Sequence, residues 1–177
     1  MDDALIKARN LIREIQDYPS AGIRFQDLTP LLADGPSFHA VVAELIPLSR
    51  GCEAIAGIEA RGFIFAAALA HALNIGFIPI RKKGKLPFKT HDESYGLEYG
   101  SDVLQIHQDA IEIGAVILLI DDVLATGGTA CAATRLIERA GGKVAGLGTV
   151  IEISSLMGRA KIANAFPNLA VHSIFSV

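Results

Sequence analysis

Asp121 and Asp122 stand side by side, and the chain then runs through Ala125-Thr126-Gly127-Gly128-Thr129. Carboxylates accept hydrogen bonds from hydroxyls. A small-residue loop opening onto a helix offers an anion free backbone N–H groups and the positive end of a helix dipole. One ligand carrying both vicinal hydroxyls and a phosphate would use both features, and a ribose 5-phosphate is such a ligand. Competing phosphate loops do not fit, because a Walker A loop needs a Gly-Lys-Ser/Thr ending and a dinucleotide loop needs G-x-G-x-x-G. Neither pattern occurs in the chain.

Two further groups suit a second anion. Arg61, within Glu59-Ala60-Arg61-Gly62-Phe63, falls where a strand is expected to pass into a helix, so local amides and the guanidinium can face a pyrophosphate. Arg81, Lys82, Lys83 and Lys85 form the densest basic cluster in a chain of formal charge -3, so any anion binding has to be local. A bound anion needs its charge met by pre-positioned cations. The cluster flanks a stretch from Arg81 to Gly100 in which periodicity disappears, expected to be a long binding loop or lid. Tyr95 and Tyr99 are candidates for ordering that stretch. The five histidines have no H-E-x-x-H spacing, and Cys52 and Cys131 form no C-x-x-C pair, so neither type points to a metal site.

These groups need a scaffold. Val116–Ile120 is apolar on both faces, as expected of a strand covered by helices on either side of a parallel sheet. Asp121 and Asp122 then sit at its carboxyl end, where open α/β sheets bind ligands. Further strands are expected at 53–58, 77–80, 143–153 and 169–175, alternating with helices at 63–73, 129–140 and 155–163. The fold class is therefore α/β, with a central, mostly parallel sheet flanked by helices. An amphipathic helix with apolar residues from Leu5 to Ile15 opens the chain and stops at Tyr18-Pro19. Residues 20–32 read as irregular or short-strand structure, and a second helix, capped by Ser37, fits 37–49. With 177 residues, the chain suits one domain, 1–177. No apolar run approaches the roughly 20 residues of a membrane span, and Met1-Asp2-Asp3 lacks the basic start of a signal peptide, so a cytoplasmic location is expected. The acidic balance gives no general attraction to nucleic acid or anionic lipid.

The segment from Val116 to Ala130 resembles the phosphoribosyl pyrophosphate segment of type I phosphoribosyltransferases. Glu59–Phe63, Ile80–Pro87 and Leu97–Gly100 are similar to the members of that family that act on adenine. The likeness runs from about Tyr18 to Ile153. It implies the type I phosphoribosyltransferase fold, with a small N-terminal hood near residues 18–35 and a flexible lid loop near 82–100. It also implies transfer of the 5-phosphoribosyl group from phosphoribosyl pyrophosphate to N9 of adenine, giving AMP and pyrophosphate in purine salvage. Carried over residue by residue, it gives catalytic roles to Glu98, Asp121, Asp122 and Arg61, and the 5-phosphate to Ala125, Thr126, Gly127, Gly128 and Thr129. Pyrophosphate falls to Glu59, Ala60, Arg61, Arg81 and Lys85, and more weakly to Lys82 and Lys83. Magnesium (Mg2+) is implied near Asp121 and Asp122, held mainly by substrate and water. Ala21–Asp27 is similar to the family's purine-binding hood, although its usual Pro-Gly is Ala21-Gly22 here. Adenine is thereby assigned to Arg24, Phe25, Gln26 and Ile153, with the Phe25 ring for stacking and backbone C=O and N–H groups reading the amine donor beside a ring acceptor. A homodimer is implied as well. Two alternatives share the phosphate machinery: a 6-oxopurine phosphoribosyltransferase, and a transcriptional regulator that senses phosphoribosyl pyrophosphate, for which the chain is too short and acidic to carry an obvious DNA-binding module.

Overall fold

Apolar periodicity and turn residues set the element order of the protein, whose computed structural model describes residues 3–96 and 101–177. The chain divides into two units, the first ending at Glu44 and the second running Leu45–Val177.

In the first unit, α1 (Asp3–Asn10) buries Leu5 and Ala8, and it ends sooner than the apolar spacing to Ile15 predicts. The next residues form β1 (Arg13–Gln16), paired antiparallel with β2 (Arg24–Asp27) so that Ile15 lies opposite Phe25. A β-branched residue facing an aromatic across two strands favours that pairing over more helix. Asp27 ties the ribbon to the helical segment after it: its carboxylate accepts hydrogen bonds from the Thr29 hydroxyl at 2.6 Å, the Thr29 N–H at 2.9 Å and Arg13 Nη2 at 2.6 Å. These bonds hold its pKa at about 2. Next come α2 (Thr29–Ala33) and α3 (Gly35–Leu45). The cap of α3 is Asp34, whose Oδ1 accepts the Ser37 N–H at 3.0 Å, and not Ser37 as expected; the helix starts earlier because Pro36 fits its first turn. The predicted extension to Ser49 is a 3-10 turn, Ile46–Ser49.

The second unit carries β3 (Ala54–Ile58), α4 (Gly62–Leu73), β4 (Gly76–Lys82), β5 (Thr90–Gly96), β6 (Ser101–His107), β7 (Val116–Leu124), α5 (Gly128–Arg139), β8 (Lys143–Glu152), α6 (Gly158–Ala165) and β9 (Val171–Ser176). The strands lie in the order β5-β6-β4-β3-β7-β8-β9. From β4 to β9 they are parallel, and β6 joins β4 and β5 antiparallel, so the sheet is mostly parallel as expected. After β3 the chain crosses to β4 on one side, and after β7 to β8 on the other. The strand order thus reverses between β3 and β7, and a crevice for ligands opens at such a point. Their pairing ends with Gly57 opposite Ile120, so the carboxyl end of β3 falls beside the residues of β7 that lead into Asp121. Ile58, Ile80, Ile117, Leu119 and Leu136 are fully buried between sheet and helices. Among the described residues no helix is long and apolar enough to cross a membrane.

Two expectations need correction. β7 does not stop at Ile120 but stays paired with β8 through Leu124, so both aspartates lie within the strand. The stretch from Arg81 to Gly100 is not one irregular loop: β4 continues to Lys82, and β5 pairs with β6 from Thr90 opposite His107 to Gly96 opposite Ser101. Polarity hid β5, whose Thr-His-Asp-Glu-Ser-Tyr-Gly is an edge strand fixed by side chains, with Gln105 Nε2 donating to Asp92 Oδ1 at 2.9 Å and to Thr90 Oγ1 at 3.2 Å. The apolar Leu104 and Ile106 on either side of Gln105 were the available signal for β6. Leu97, Glu98, Tyr99 and Gly100 lie outside the described residues.

Candidate active site

Side chains alternate along an extended strand, so neighbours on β7 project to opposite sides. Asp121 pairs in register with Thr149 of β8, and these two line a cleft completed by Ala125, Thr126, Gly127 and Thr129. Asp122 turns to α4, where its Oδ2 lies 2.5 Å from Arg61 Nε. Its own N–H donates to Asp121 Oδ1 at 2.9 Å. Burial first, and then the adjacent Asp122 charge, push the Asp121 carboxyl well above the ordinary carboxylate range. The pair is therefore unequal: Asp122 is paired with a guanidinium, while Asp121 lines the cleft. Gly62 makes this closeness possible, because a Cβ there would stand 2.9 Å from Asp121 Oδ1 and 3.1 Å from its Cα.

The loop after β7 leads into α5 through Gly127, which has φ +77° and provides no side-chain cap. The first amides of a 12-residue helix are thus left for another acceptor, as an anion cradle requires. A Cβ on Gly127 would stand 2.6 Å from the Gly158 carbonyl oxygen, so glycine is needed there for space as well as for φ.

On the other side of the crevice, Ile58 is in register with Ile80, and the Glu59 N–H donates to the Ile80 carbonyl at 2.9 Å. Glu59 is thereby brought to Arg81, whose Nε and Nη2 donate to its two carboxylate oxygens at 3.2 and 3.1 Å. Arg81 Nη1 also donates to the Lys85 carbonyl at 3.0 Å, and the Lys82 N–H donates to Glu59 Oε2 at 3.0 Å. The Arg81 hydrogen bonds hold the Glu59 carboxyl below its usual range. An acid so engaged orients the arginine and does not itself face an anion. The Glu59–Ala60 peptide is cis.

The basic cluster does not converge on one point. Arg81 and Lys82 are strand neighbours; Lys82 Nζ pairs with Asp102 Oδ2 at 3.0 Å, which raises its pKa. The Tyr95 hydroxyl donates to that same oxygen at 3.3 Å. Lys83 lies near Asp92 instead.

Of the residues assigned to adenine, Arg24, Phe25 and Gln26 lie on β2 of the first unit, where the Phe25 ring meets Tyr18 edge-on at 5.1 Å. Ile153 follows β8 in the second unit and donates its N–H to the Leu124 carbonyl at 2.9 Å. Thr149 was missed, since a threonine inside an apolar strand carries no signal until the β7 register brings it beside Asp121. Among the described residues no cluster of three or more His, Cys, Asp or Glu could hold a metal ion.

Residues 33–164 match the phosphoribosyl transferase domain family. The chain is 53% identical over 156 residues to an adenine phosphoribosyltransferase of Parvibaculum lavamentivorans, covering 87% of this chain and 89% of that one. The crystal structure of adenine phosphoribosyltransferase from Rhodothermus marinus matches with TM-score 0.92 and 44% identity over 98% of both chains. That from Saccharomyces cerevisiae, complexed with an imino-altritol bisphosphate and adenine, matches with TM-score 0.89 and 32% identity over 98% of this chain and 99% of its own.

Proposed function

The chain belongs to the phosphoribosyltransferase family, among its adenine phosphoribosyltransferases, and from that premise we propose that it transfers the 5-phosphoribosyl group of phosphoribosyl pyrophosphate to N9 of adenine, releasing AMP and pyrophosphate. One observation carries this reading: Asp121 and the Ala125–Thr129 loop line a single cleft beside the crevice between β3 and β7. There the loop amides hold the 5-phosphate, and the two aspartates accept from the ribose hydroxyls. Arg61 and Arg81 meet the pyrophosphate, each giving up part of its bond to Asp122 or Glu59 as the new anion arrives. As the sugar gains positive charge in an oxocarbenium-like transition state, the aspartates stabilise it without moving.

Adenine is assigned to Arg24, Phe25, Gln26 and Ile153, and proton transfer at N9 to Glu98, on the family likeness of their segments. The first residues form the hood and 82–100 the lid of one catalytic domain in this reading. A cytoplasmic homodimer rests on the same likeness. Magnesium suits the donor set: two adjacent carboxylates, with no third ligand among the described residues, match an ion that keeps several waters and takes its other bonds from substrate phosphates. When bound near Asp121 and Asp122, it would neutralise charge on the pyrophosphate.

The test is pyrophosphate release from phosphoribosyl pyrophosphate with adenine, hypoxanthine and guanine in parallel. Turnover with adenine and little with the others is expected. Preference for hypoxanthine or guanine would move the chain to the 6-oxopurine enzymes, and no release with any base would end the enzymatic reading.

A further inference from the structure

Lys161 has no task in the phosphoribosyl transfer proposed for this site, yet it is built against the 5-phosphate loop. It stands on α6 one turn beyond Gly158, and Gly158 is interlocked with the loop. A Cβ on Gly158 would collide with the Ala125 carbonyl oxygen, and one on Gly127 would stand 2.6 Å from the Gly158 carbonyl oxygen. Backbone packing this close leaves α6 no room to slide relative to the cradle. From there Lys161 Nζ reaches the first turn of α5, 3.6 Å from where a Cβ on Gly128 would stand. A second observation agrees: burial raises the Cys131 thiol pKa, while the charges of Arg135 and Lys161 pull it down, placing the ammonium over that same turn. Among the described residues Lys161 forms no ion pair, whereas Arg61, Arg81 and Lys82 each pair with an acid.

We infer that Lys161 is a further binding residue for the 5-phosphate, adding a full positive charge to a cradle of neutral amides. The inference rests on the phosphoribosyl reading of that loop. A phosphate monoester carries close to two negative charges at neutral pH, and amide donors supply only partial ones. An ammonium on a flexible stem acts as a point charge and needs no fixed fork. Its exposure to solvent limits the effect and makes it sensitive to salt.

Wild type, Lys161→Gln and Lys161→Arg are titrated by calorimetry with ribose 5-phosphate and, separately, with pyrophosphate, and steady-state kinetics are run beside them. Lys161→Gln is expected to weaken ribose 5-phosphate binding about fivefold and to raise KM for phosphoribosyl pyrophosphate by a like factor. Its kcat, its KM for adenine and its pyrophosphate affinity stay at wild-type values, and Lys161→Arg restores binding. Unchanged ribose 5-phosphate affinity in Lys161→Gln overturns the inference, as does an equal loss for both anions, which would mark a general charge effect. Should wild type itself neither bind ribose 5-phosphate nor turn over, the phosphoribosyl reading fails, a result distinct from either of these.

Discussion

At one end of the site, the loop from Ala125 to Thr129 presents backbone amides around a left-handed Gly127. At the other, Arg61 and Arg81 present guanidiniums already paired with Asp122 and Glu59. The first end is a cradle of amides fixed by interlocked backbone, with Lys161 as its one inferred charge, and it is ready for an anion before one arrives. The second is charged, partly buried and balanced by its own acids, because an uncompensated guanidinium beside the sheet would be costly in the free protein. In the proposed reaction, substrate enters a preformed cradle at one end and displaces an internal partner at the other. Asp122 joins the two, being both the partner of Arg61 and a proposed acceptor for the ribose.

The largest expected effect breaks that joint. Asp122→Ala removes a ribose acceptor and leaves Arg61 without its acid, and it should cost about 2.7 to 4 kcal/mol of barrier, roughly a hundredfold to a thousandfold in turnover. Steady-state rates with a circular dichroism melt to confirm folding check this, and near-normal turnover would remove Asp122 from the chemistry. Next is Gly127→Ala, which puts a side chain at φ +77° and 2.6 Å from the Gly158 carbonyl oxygen. Strain of about 1 to 3 kcal/mol should appear as weaker binding of ribose 5-phosphate in calorimetry, with pyrophosphate affinity kept. Loss of both affinities together would mean that the two ends are not separate devices. Glu59→Gln should act at the opposite end, raising KM for phosphoribosyl pyrophosphate about threefold as Arg81 loses its orientation. A fall in KM would instead show that neutralising the acid matters more than aiming the arginine.

The smallest effect concerns pH. Glu59 has its pKa held below the ordinary 4.5 by Arg81. Its pair is therefore complete above that value and is lost only as pH falls through the lower folded value. In 15N NMR the Arg81 Nε–H resonance should stay constant from pH 8 to about 5 and shift only under more acid conditions. Movement of Arg81 near neutrality would contradict the pairing.

Much of the amide end was legible in the sequence, because glycines at a strand-to-helix turn leave few other conformations. The parallel sheet was legible too, from the apolar runs around Ile58, Ile80 and Val116–Ile120. What could not be read were features set by register. Thr149 reaches the cleft, and Glu59 meets Arg81, through strand pairings that local sequence does not encode. β5 escaped notice because an edge strand held by side-chain bonds among Thr90, Asp92 and Gln105 lacks apolar alternation. Ile15 was assigned to a helix by its spacing, although opposite Phe25 it belongs to a strand. Lys161 left no mark, since a lysine on a late helix becomes notable only once Gly158 is seen against Gly127.

A crystal structure of the protein with AMP tests the central claim most directly. The account predicts the phosphate on the amides of the Ala125–Thr129 loop and the ribose hydroxyls within hydrogen-bonding distance of the Asp121 and Asp122 carboxylates. AMP bound with its phosphate elsewhere, or with its ribose turned away from both aspartates, would contradict it.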